Sequence, residues 1–248
     1  MRHILTNSDS GLFSTPISGF NPSNKISLLH FNGTNGSTTF IDEIGNTVNP
    51  TASGATISTT TSKFGGASGF FNNGSINIIN GSNNIFNLSN SNFTIEFWLN
   101  CSNISGYSAL VERRSTTFIA GDWVIYANTP DSSNLVFLLF FYDQNPSNYI
   151  LSTNPGDGAG TILNTTAIPI NTWHHFALVR NGNNFTIYVN GIGKVTASFS
   201  FTVSNSSLPL TIGKDNSNGY FFNGYIDEFL LNPGANYTNN FTPRNSQY

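Results

Sequence analysis

The segment Phe93-Thr-Ile-Glu-Phe-Trp-Leu-Asn100 constrains the fold more than any other part of the chain. Its residues Phe93, Ile95, Phe97 and Leu99 fall on every second position, and alternate side chains of a strand share one face. A strand with one apolar face must bury that face against a second layer. Shorter β segments follow the same logic from Ile26 onward: Ser27 to Phe31, Gly69 to Phe71, Ile76 to Ile79, Leu110 to Glu112, Asp122 to Ala127, Leu135 to Tyr142 and Tyr149 to Ser152. Trp173 to Arg180 and Phe185 to Val189 flank Asn181-Gly-Asn-Asn184 and read as a hairpin. Asn190-Gly191 turns the chain again into Lys194 to Phe201, and Leu210 to Gly213 and Tyr225 to Leu231 close the series. Asn72-Asn73-Gly74 is a further tight-turn sequence, between Phe71 and Ile76. No segment sustains a 3.6-residue period between caps. Short strands divided by Gly and Asn turns predict an all-β fold, a two-sheet antiparallel sandwich.

The organisation is that of one domain, since neither a repeat nor a linker divides the 248 residues. Residues 1–25 lack alternation and carry Gly11, Pro16, Gly19 and Pro22, so they read as an extended arm. The sandwich spans 26–232. Residues 233–248 read as a polar tail with room for one short helical turn.

Composition supplies the core and limits the partners. The chain holds 22 Phe, 9 Tyr and 3 Trp, enough large apolar area for a substantial interior. Charged residues make up 8%, against the ~25% usual in soluble proteins, so the solvated face is mostly hydroxyl and amide. The net charge is −3, and Arg113–Arg114 is the one adjacent basic pair. A nucleic-acid groove needs a basic stripe, so no nucleic-acid partner is expected. Cys101 is the single cysteine, which excludes an intrachain disulfide. Met1 to Ser10 has no apolar stretch of the secretory kind, and the run Leu135 to Tyr142 is too short for a membrane span. These features predict a chain made inside a cell without a leader.

Four segments in order carry a family resemblance: Phe93-Thr-Ile-Glu-Phe-Trp-Leu, Asn171-Thr-Trp-His-His-Phe-Ala-Leu-Val-Arg180, Phe185-Thr-Ile-Tyr-Val-Asn-Gly191 and Gly224-Tyr-Ile-Asp-Glu-Phe229. Together they resemble the concanavalin A-like lectin/glucanase superfamily, in its laminin-G-like, pentraxin-related branch. The leader Ser27-Leu-Leu-His-Phe-Asn-Gly-Thr-Asn-Gly36, followed by Ser62-Lys-Phe-Gly-Gly66, is similar to copies in tailed-bacteriophage structural proteins. The resemblance implies a jelly roll over about 27–232. It also implies a location in the virion, with other virion proteins and further copies of the chain as partners. Neutral amide-rich surfaces suit such contacts, because desolvating them costs less than desolvating charges.

Each candidate site residue has a structural alternative. Retaining glucanases of this superfamily carry Glu-x-Asp-x-x-Glu on one strand face, and that spacing is absent here. Asp42-Glu43 and Asp227-Glu228 are adjacent pairs, which a strand sends to opposite faces, so no enzyme is expected. The resemblance implies Ca²⁺ at Asp227, with Asn32 or Asp42 as partners. Phage relatives read His-Phe-Asp-Gly where this chain has His30-Phe-Asn32-Gly, a loss of one carboxylate. The alternative for Asp227 is a structural one, accepting backbone N–H groups. Three loops mix aromatic and amide groups in the manner of a glycan site, and they contribute Trp123, then Tyr142, Asp143 and Asn145, then Asp215, Asn216 and Tyr220. Trp123 serves equally well as a core residue. Trp173, His175, Ala177 and Val179 share one face by parity, and His175 reads as a core histidine. Two functions follow as expectations: a non-enzymatic decoration protein on a capsid or tail, or an adhesin for host-surface glycans.

Overall fold

A computed structural model of the chain describes residues 24–248, apart from 52–53, 102–103, 105, 118, 143–148, 156–159, 201, 203–206 and 217–218. Nearly all of the expected arm, residues 1–25, lies outside the described residues. The strands in chain order are β1 (Ser27–Leu29), β2 (Thr47–Pro50), β3 (Ala55–Ser58), β4 (Ser68–Asn72), β5 (Ile76–Ile79), β6 (Phe93–Cys101), β7 (Ser108–Arg113) and β8 (Trp123–Asn128). They continue with β9 (Val136–Phe141), β10 (Tyr149–Ser152), β11 (Thr161–Ile162), β12 (His174–Asn181), β13 (Asn184–Val189), β14 (Ile192–Ser198), β15 (Leu210–Ile212) and β16 (Asn223–Pro233). A single 3₁₀ turn at Asn84–Phe86 is the longest helical piece among the described residues. No helix there is long and apolar enough to cross a membrane.

The strands form two antiparallel sheets, as expected of a jelly-roll sandwich. The nine-stranded sheet runs β11-β14-β13-β12-β6-β16-β4-β3, with β1 also paired to β16. The seven-stranded sheet runs β10-β9-β8-β7-β15-β5-β2. The alternation of β6 points Phe93, Ile95, Phe97 and Leu99 inward, all 2% exposed or less. They meet Phe137, Leu139 and Phe141 of β9 in one interior cluster. Phe176 of β12 bridges the layers, with its ring 5.0 Å from both Phe97 and Phe137. Each fully buried Phe stabilises the sandwich by roughly 1.5–3 kcal/mol relative to an exposed one.

The expected turn at Asn72-Asn73-Gly74 links strands of different sheets. Asn72-Asn73-Gly74 does not close a hairpin, because β4 lies in the nine-stranded sheet and β5 in the seven-stranded one. The turn carries the chain between the layers. Asn73 adopts a left-handed φ of 56°, and any Cβ at Gly74 would overlap the backbone of Gly54 and Ala55.

β16 organises the nine-stranded sheet. It pairs with β6 along its length, and a register shift falls between Asp227 and Leu230. Glu228 sits in that bulge with a φ of 52°. The bulge divides the other edge of β16, which pairs with β4 before it and with β1 after it.

Residues 234–248 cross the outer face of this sheet without a helical turn. Tyr237 and Phe241 stack at 3.4 Å and pack on Ala177, Val179 and Tyr188. The Phe241 N–H donates to the Gly191 carbonyl, and any side chain at Gly191 would overlap the Phe241 backbone. The expected polar tail is therefore an ordered covering strap.

Candidate functional site: the outer face of the seven-stranded sheet

The two sheets differ in what covers them outside. The strap packs on the nine-stranded face around Tyr188, and on the seven-stranded side the outward Ala109, Val124, Tyr126 and Leu138 are 9% exposed or less while Tyr107 and Tyr220 remain exposed. A register shift between Ala109 and Val111 of β7 puts Ala109 and Glu112 on the outer side, opposite Tyr126 and Val124 of β8. Leu138 joins Ala109, Val124 and Tyr126 in an apolar floor outside the main core, flanked by Val136 and Phe140. On the other side of β7 the same face turns polar. Thr211 of β15 is in register with Glu112 and donates to Asn77 Oδ1 of β5 at 3.0 Å.

A charged network fills the middle of this face. Asp215, just after β15, is 0% exposed. Its Oδ2 accepts from Arg114 Nη1 at 2.8 Å and from the Tyr126 hydroxyl. Burial, then the bond and charge of Asp215, push the Tyr126 phenol well above its ordinary value, so it stays a donor. Glu112 Oε1 accepts the Asn216 N–H at 3.0 Å. Burial pushes the Glu112 carboxyl up to about 8, and the Asp215 charge adds to this. The Asn216 N–H, Arg114 and Lys214 only partly oppose the rise.

Two tyrosines cap the network and remain 42% exposed each, Tyr107 and Tyr220. Their ring centroids lie 5.7 Å and 6.2 Å from that of Tyr126. The backbone fixes Tyr220, whose carbonyl accepts from the Ala109 and Asp215 N–H groups. The half-buried Asn216 lies beside them, its side-chain amide 3.4 Å from Thr211 Oγ1. Exposed aromatic faces with nearby amide and hydroxyl groups can stack on a sugar ring and bond its hydroxyls.

Three of the expected glycan residues thus come together here: Asp215, Asn216 and Tyr220. Their roles differ, because Asp215 is buried and positions the loop, whereas Tyr220 is available to a ligand. Trp123 is corrected to a core residue, 2% exposed and packed in the main cluster. Strand parity explains the result, since Trp123 and Tyr126 leave opposite faces of β8. Tyr142 follows β9, with its backbone paired to Gly121 and Asp122. Asp143 and Asn145 lie outside the described residues. Sequence reasoning missed Tyr107, Glu112, Arg114 and Tyr126. The parity of β8 was the available signal for Tyr126, but the β7 register shift conceals that of Glu112.

Two of the three expected calcium donors already accept hydrogen bonds. Asp42 is 4% exposed and accepts from Ser27 Oγ at 2.6 Å, Ile44 N at 2.8 Å and Asn46 Nδ2 at 2.8 Å. Asp227 Oδ2 accepts the Lys63 and Phe64 N–H groups at 2.8 and 3.0 Å. Its Oδ1 is buried without a hydrogen bond. Asn32 is exposed. Carboxylate oxygens that already accept N–H and O–H groups have fewer lone pairs to offer a cation, and Ca²⁺ takes six to eight oxygens. No group of three or more His, Cys, Asp or Glu gathers among the described residues. Asp42, Asp227 and Asn32 as arranged do not fit a calcium ion, and Asp227 takes the structural role of accepting backbone N–H groups.

With the geometry established, the relatives agree on the fold. The Laminin_G_3 family model, described as concanavalin A-like lectin/glucanases superfamily, matches residues 72–235. The chain belongs to this superfamily. Domain 4 of AbnA, a GH43 extracellular arabinanase from Geobacillus stearothermophilus in complex with arabinotriose, superposes with a TM-score of 0.60 at 16% identity. That match covers 86% of this chain and 94% of that one. The binding domain of Paraclostridial Mosquitocidal Protein 1 gives 0.59 at 20% identity, covering 86% of this chain and 49% of that one. The binding domain of Botulinum Neurotoxin DC in complex with SialylT gives 0.55 at 20% identity, with 86% and 48% covered. The chain spans about half the length of these toxin binding domains. No curated protein sequence matches.

Proposed function

We propose that the chain is a carbohydrate-binding module whose glycan site is the outer face of the seven-stranded sheet around Tyr126. The observation that carries this reading is the pair of half-exposed rings, Tyr107 and Tyr220, flanking a tyrosine clamped by buried charge. The neighbours support it too, since one was solved with arabinotriose and another with SialylT. The reading is of binding without catalysis. Glu112 and Asp215, the carboxylates of the network, are both 0% exposed and so do not reach a sugar lying on the surface. Virion attachment, the first expectation from the phage-like leader, has no observation in the fold that favours it over this reading.

The test is a glycan array probed with the purified chain, including arabinan and sialylated oligosaccharides. We expect hits that Tyr220→Ala and Tyr107→Ala each weaken by about tenfold, the usual loss for a central aromatic anchor. Both variants keep the wild-type melting midpoint within ~2 °C, because the rings are exposed. An array without hits, or hits indifferent to both substitutions, rejects the reading.

A further inference from the structure

Along β6, on the outer face of the nine-stranded sheet, the outward side chains are covered one after another until the last. Thr94 Oγ1 donates to the Gly234 carbonyl at 2.9 Å, and Glu96 accepts the Tyr237 hydroxyl at 2.8 Å, so both lie beneath the strap. Trp98 lies beneath the loop 61–66, with Lys63 Nζ 3.9 Å over its ring and the Phe64 ring 5.9 Å away. Asn100 is the next outward residue. It is half-buried, and its side-chain amide has no hydrogen-bond partner among the described residues.

Asn100 belongs to a row that crosses the sheet. Its register partner on β16 is Tyr225, whose partner on β4 is Phe70, whose partner on β3 is Thr56. Strand parity turns these four outward, because their neighbours Leu99, Ile226, Phe71 and Ile57 belong to the interior cluster. On the other side of Asn100, Trp173 stands one residue before His174, the partner of Leu99, and so extends the row. The Trp173 Nε1–H donates to Thr61 Oγ1 at 3.2 Å, in the loop that covers Trp98, which places its ring on the same outer face. Every member of the row is half-buried. The Phe70 and Tyr225 rings lie 5.0 Å apart, tilted by 36°. From Phe70 to Trp173 the row runs roughly 14 Å, at about 4.8 Å between neighbouring strands. Contiguous aromatic surface left outside a core marks an interaction site.

The chemistry of the row selects the ligand. Thr56, Phe70, Tyr225, Asn100 and Trp173 carry no charge. Of the charged groups beside them, Lys63 is turned onto Trp98, and Asp227 is 0% exposed and accepts the Lys63 and Phe64 N–H groups. An anionic ligand would therefore lie on the row without a counter-charge. Ring faces stack on the C–H faces of a sugar, and amide and hydroxyl groups bond its hydroxyls. The length of the row suits an oligosaccharide better than a single ring.

We propose that this row is a second carbohydrate site, which takes an uncharged oligosaccharide laid across the strands. Phe70, Tyr225 and Trp173 supply the stacking faces, and Asn100 and the Tyr225 hydroxyl supply the hydrogen bonds. A cross-strand aromatic pair also steadies a sheet, but that role asks nothing of Asn100. The site does not depend on the Tyr126 site, because the two lie on different sheets. A chain with both bridges two glycans, and it holds a glycan-coated surface more tightly than either site alone.

The experiment titrates the intact chain with arabinotriose, xylotetraose and cellotetraose at millimolar concentration and follows the tryptophan indole N–H resonances. At least one of these sugars is expected to move the Trp173 resonance and to leave that of the core residue Trp123 in place. Tyr225→Ala should weaken this binding by about tenfold, as for a central aromatic anchor. Asn100→Ala should weaken it by about fivefold, the loss of one hydrogen bond, and it removes no hydrogen bond of the fold among the described residues. Both variants are read at a temperature where their melting curves show them folded. Tyr107→Ala and Tyr220→Ala should leave the Trp173 response unchanged, which keeps this site separable from the other. On a glycan array, where both sites engage one surface, loss of either weakens the signal. A Trp173 resonance that no neutral sugar moves overturns the second site. So does a response that Tyr225→Ala and Asn100→Ala both leave intact, and so does one that only sialylated sugars produce. If the Tyr126 site fails its own test, the Trp173 response still decides this one.

Discussion

Glu96 on β6 and Glu112 on β7 occupy matching places on the two sheets. Both are 0% exposed, and both point away from the sandwich interior. Their partners differ. Glu96 meets His175 Nε2 at 3.2 Å, the Tyr237 hydroxyl at 2.8 Å, Asn236 Nδ2 at 3.4 Å and the Tyr248 phenol. Three of those four groups come from the strap. Burial alone would push the Glu96 carboxyl up, but the bond and charge of His175, with the two tyrosines, hold it below the usual value. Glu112 accepts one N–H and is pushed up instead. Equal burial thus yields an anion beneath the strap and an acid on the other sheet. The number of donors decides which, because each hydrogen bond to the charged form offsets part of the cost of desolvation.

The harshest way to break this comparison is to remove the strap. Deleting residues 235–248 strips Glu96 of Tyr237, Asn236 and Tyr248. It also strips Glu228, 1% exposed, of Gln247 Nε2 and the Tyr248 N–H, and it bares the apolar patch around Tyr188. Leaving buried charges unpaired costs about 3–5 kcal/mol, so the melting midpoint should fall by about 10 °C. Calorimetry on the truncated chain checks this, and a midpoint within ~2 °C of the intact one would show that the strap merely rests on the sheet.

A gentler test substitutes each glutamate by glutamine, with opposite expected signs. Glu112→Gln should stabilise the fold at pH 8 by on the order of 3 kcal/mol. The sign follows from the raised folded value: between about 4.5 and 8 the unfolded chain has lost a proton that the native chain keeps, so rising pH penalises the native state. The gain disappears below about pH 4.5. Glu96→Gln should destabilise by about 2 kcal/mol at pH 7, through lost charge-assisted hydrogen bonds. Its folded value is depressed, so this loss shrinks as pH falls below about 4.5. Urea unfolding of both variants at pH 4, 6 and 8 measures the crossover, and the same sign for both at pH 8 would refute the donor argument.

The sandwich was legible in the sequence because alternation reports burial directly. β6, the β12–β13 hairpin and the Asn190-Gly191 turn were all readable from period and turn residues. Sheet membership was not, as the passage from β4 to β5 shows: a turn sequence does not reveal whether its strands pair or part. The strap was illegible for a different reason. Its aromatic anchors, Tyr237, Phe241 and Tyr248, are too few to produce a period, and scattered polar contacts such as those of Asn236 and Gln247 leave no pattern in the sequence. The site was half legible. The loop Asp215 to Tyr220 stood out by composition, while Glu112 and Arg114 follow a β7 irregularity that sequence parity does not reveal.

Asp227 supplies the smallest and most discriminating test, because it sits between the two glutamates in donor count. It is also 0% exposed, with the Lys63 and Phe64 N–H groups on one oxygen and no hydrogen bond on the other. Burial pushes it up to about 7, offset by those N–H groups, an intermediate outcome for an intermediate set. Asp227→Asn can keep its carbonyl on the two N–H donors, so it should stabilise the fold by about 1–2 kcal/mol at pH 8 and by nothing at pH 3.5. Saturating calcium at pH 8 should leave the wild-type midpoint within about 1 °C, since a ligand that does not bind the native state cannot stabilise it. A calcium-dependent rise abolished by Asp227→Asn would mean that the two N–H donors give way to a cation, and that donor count does not govern the buried acids of this fold.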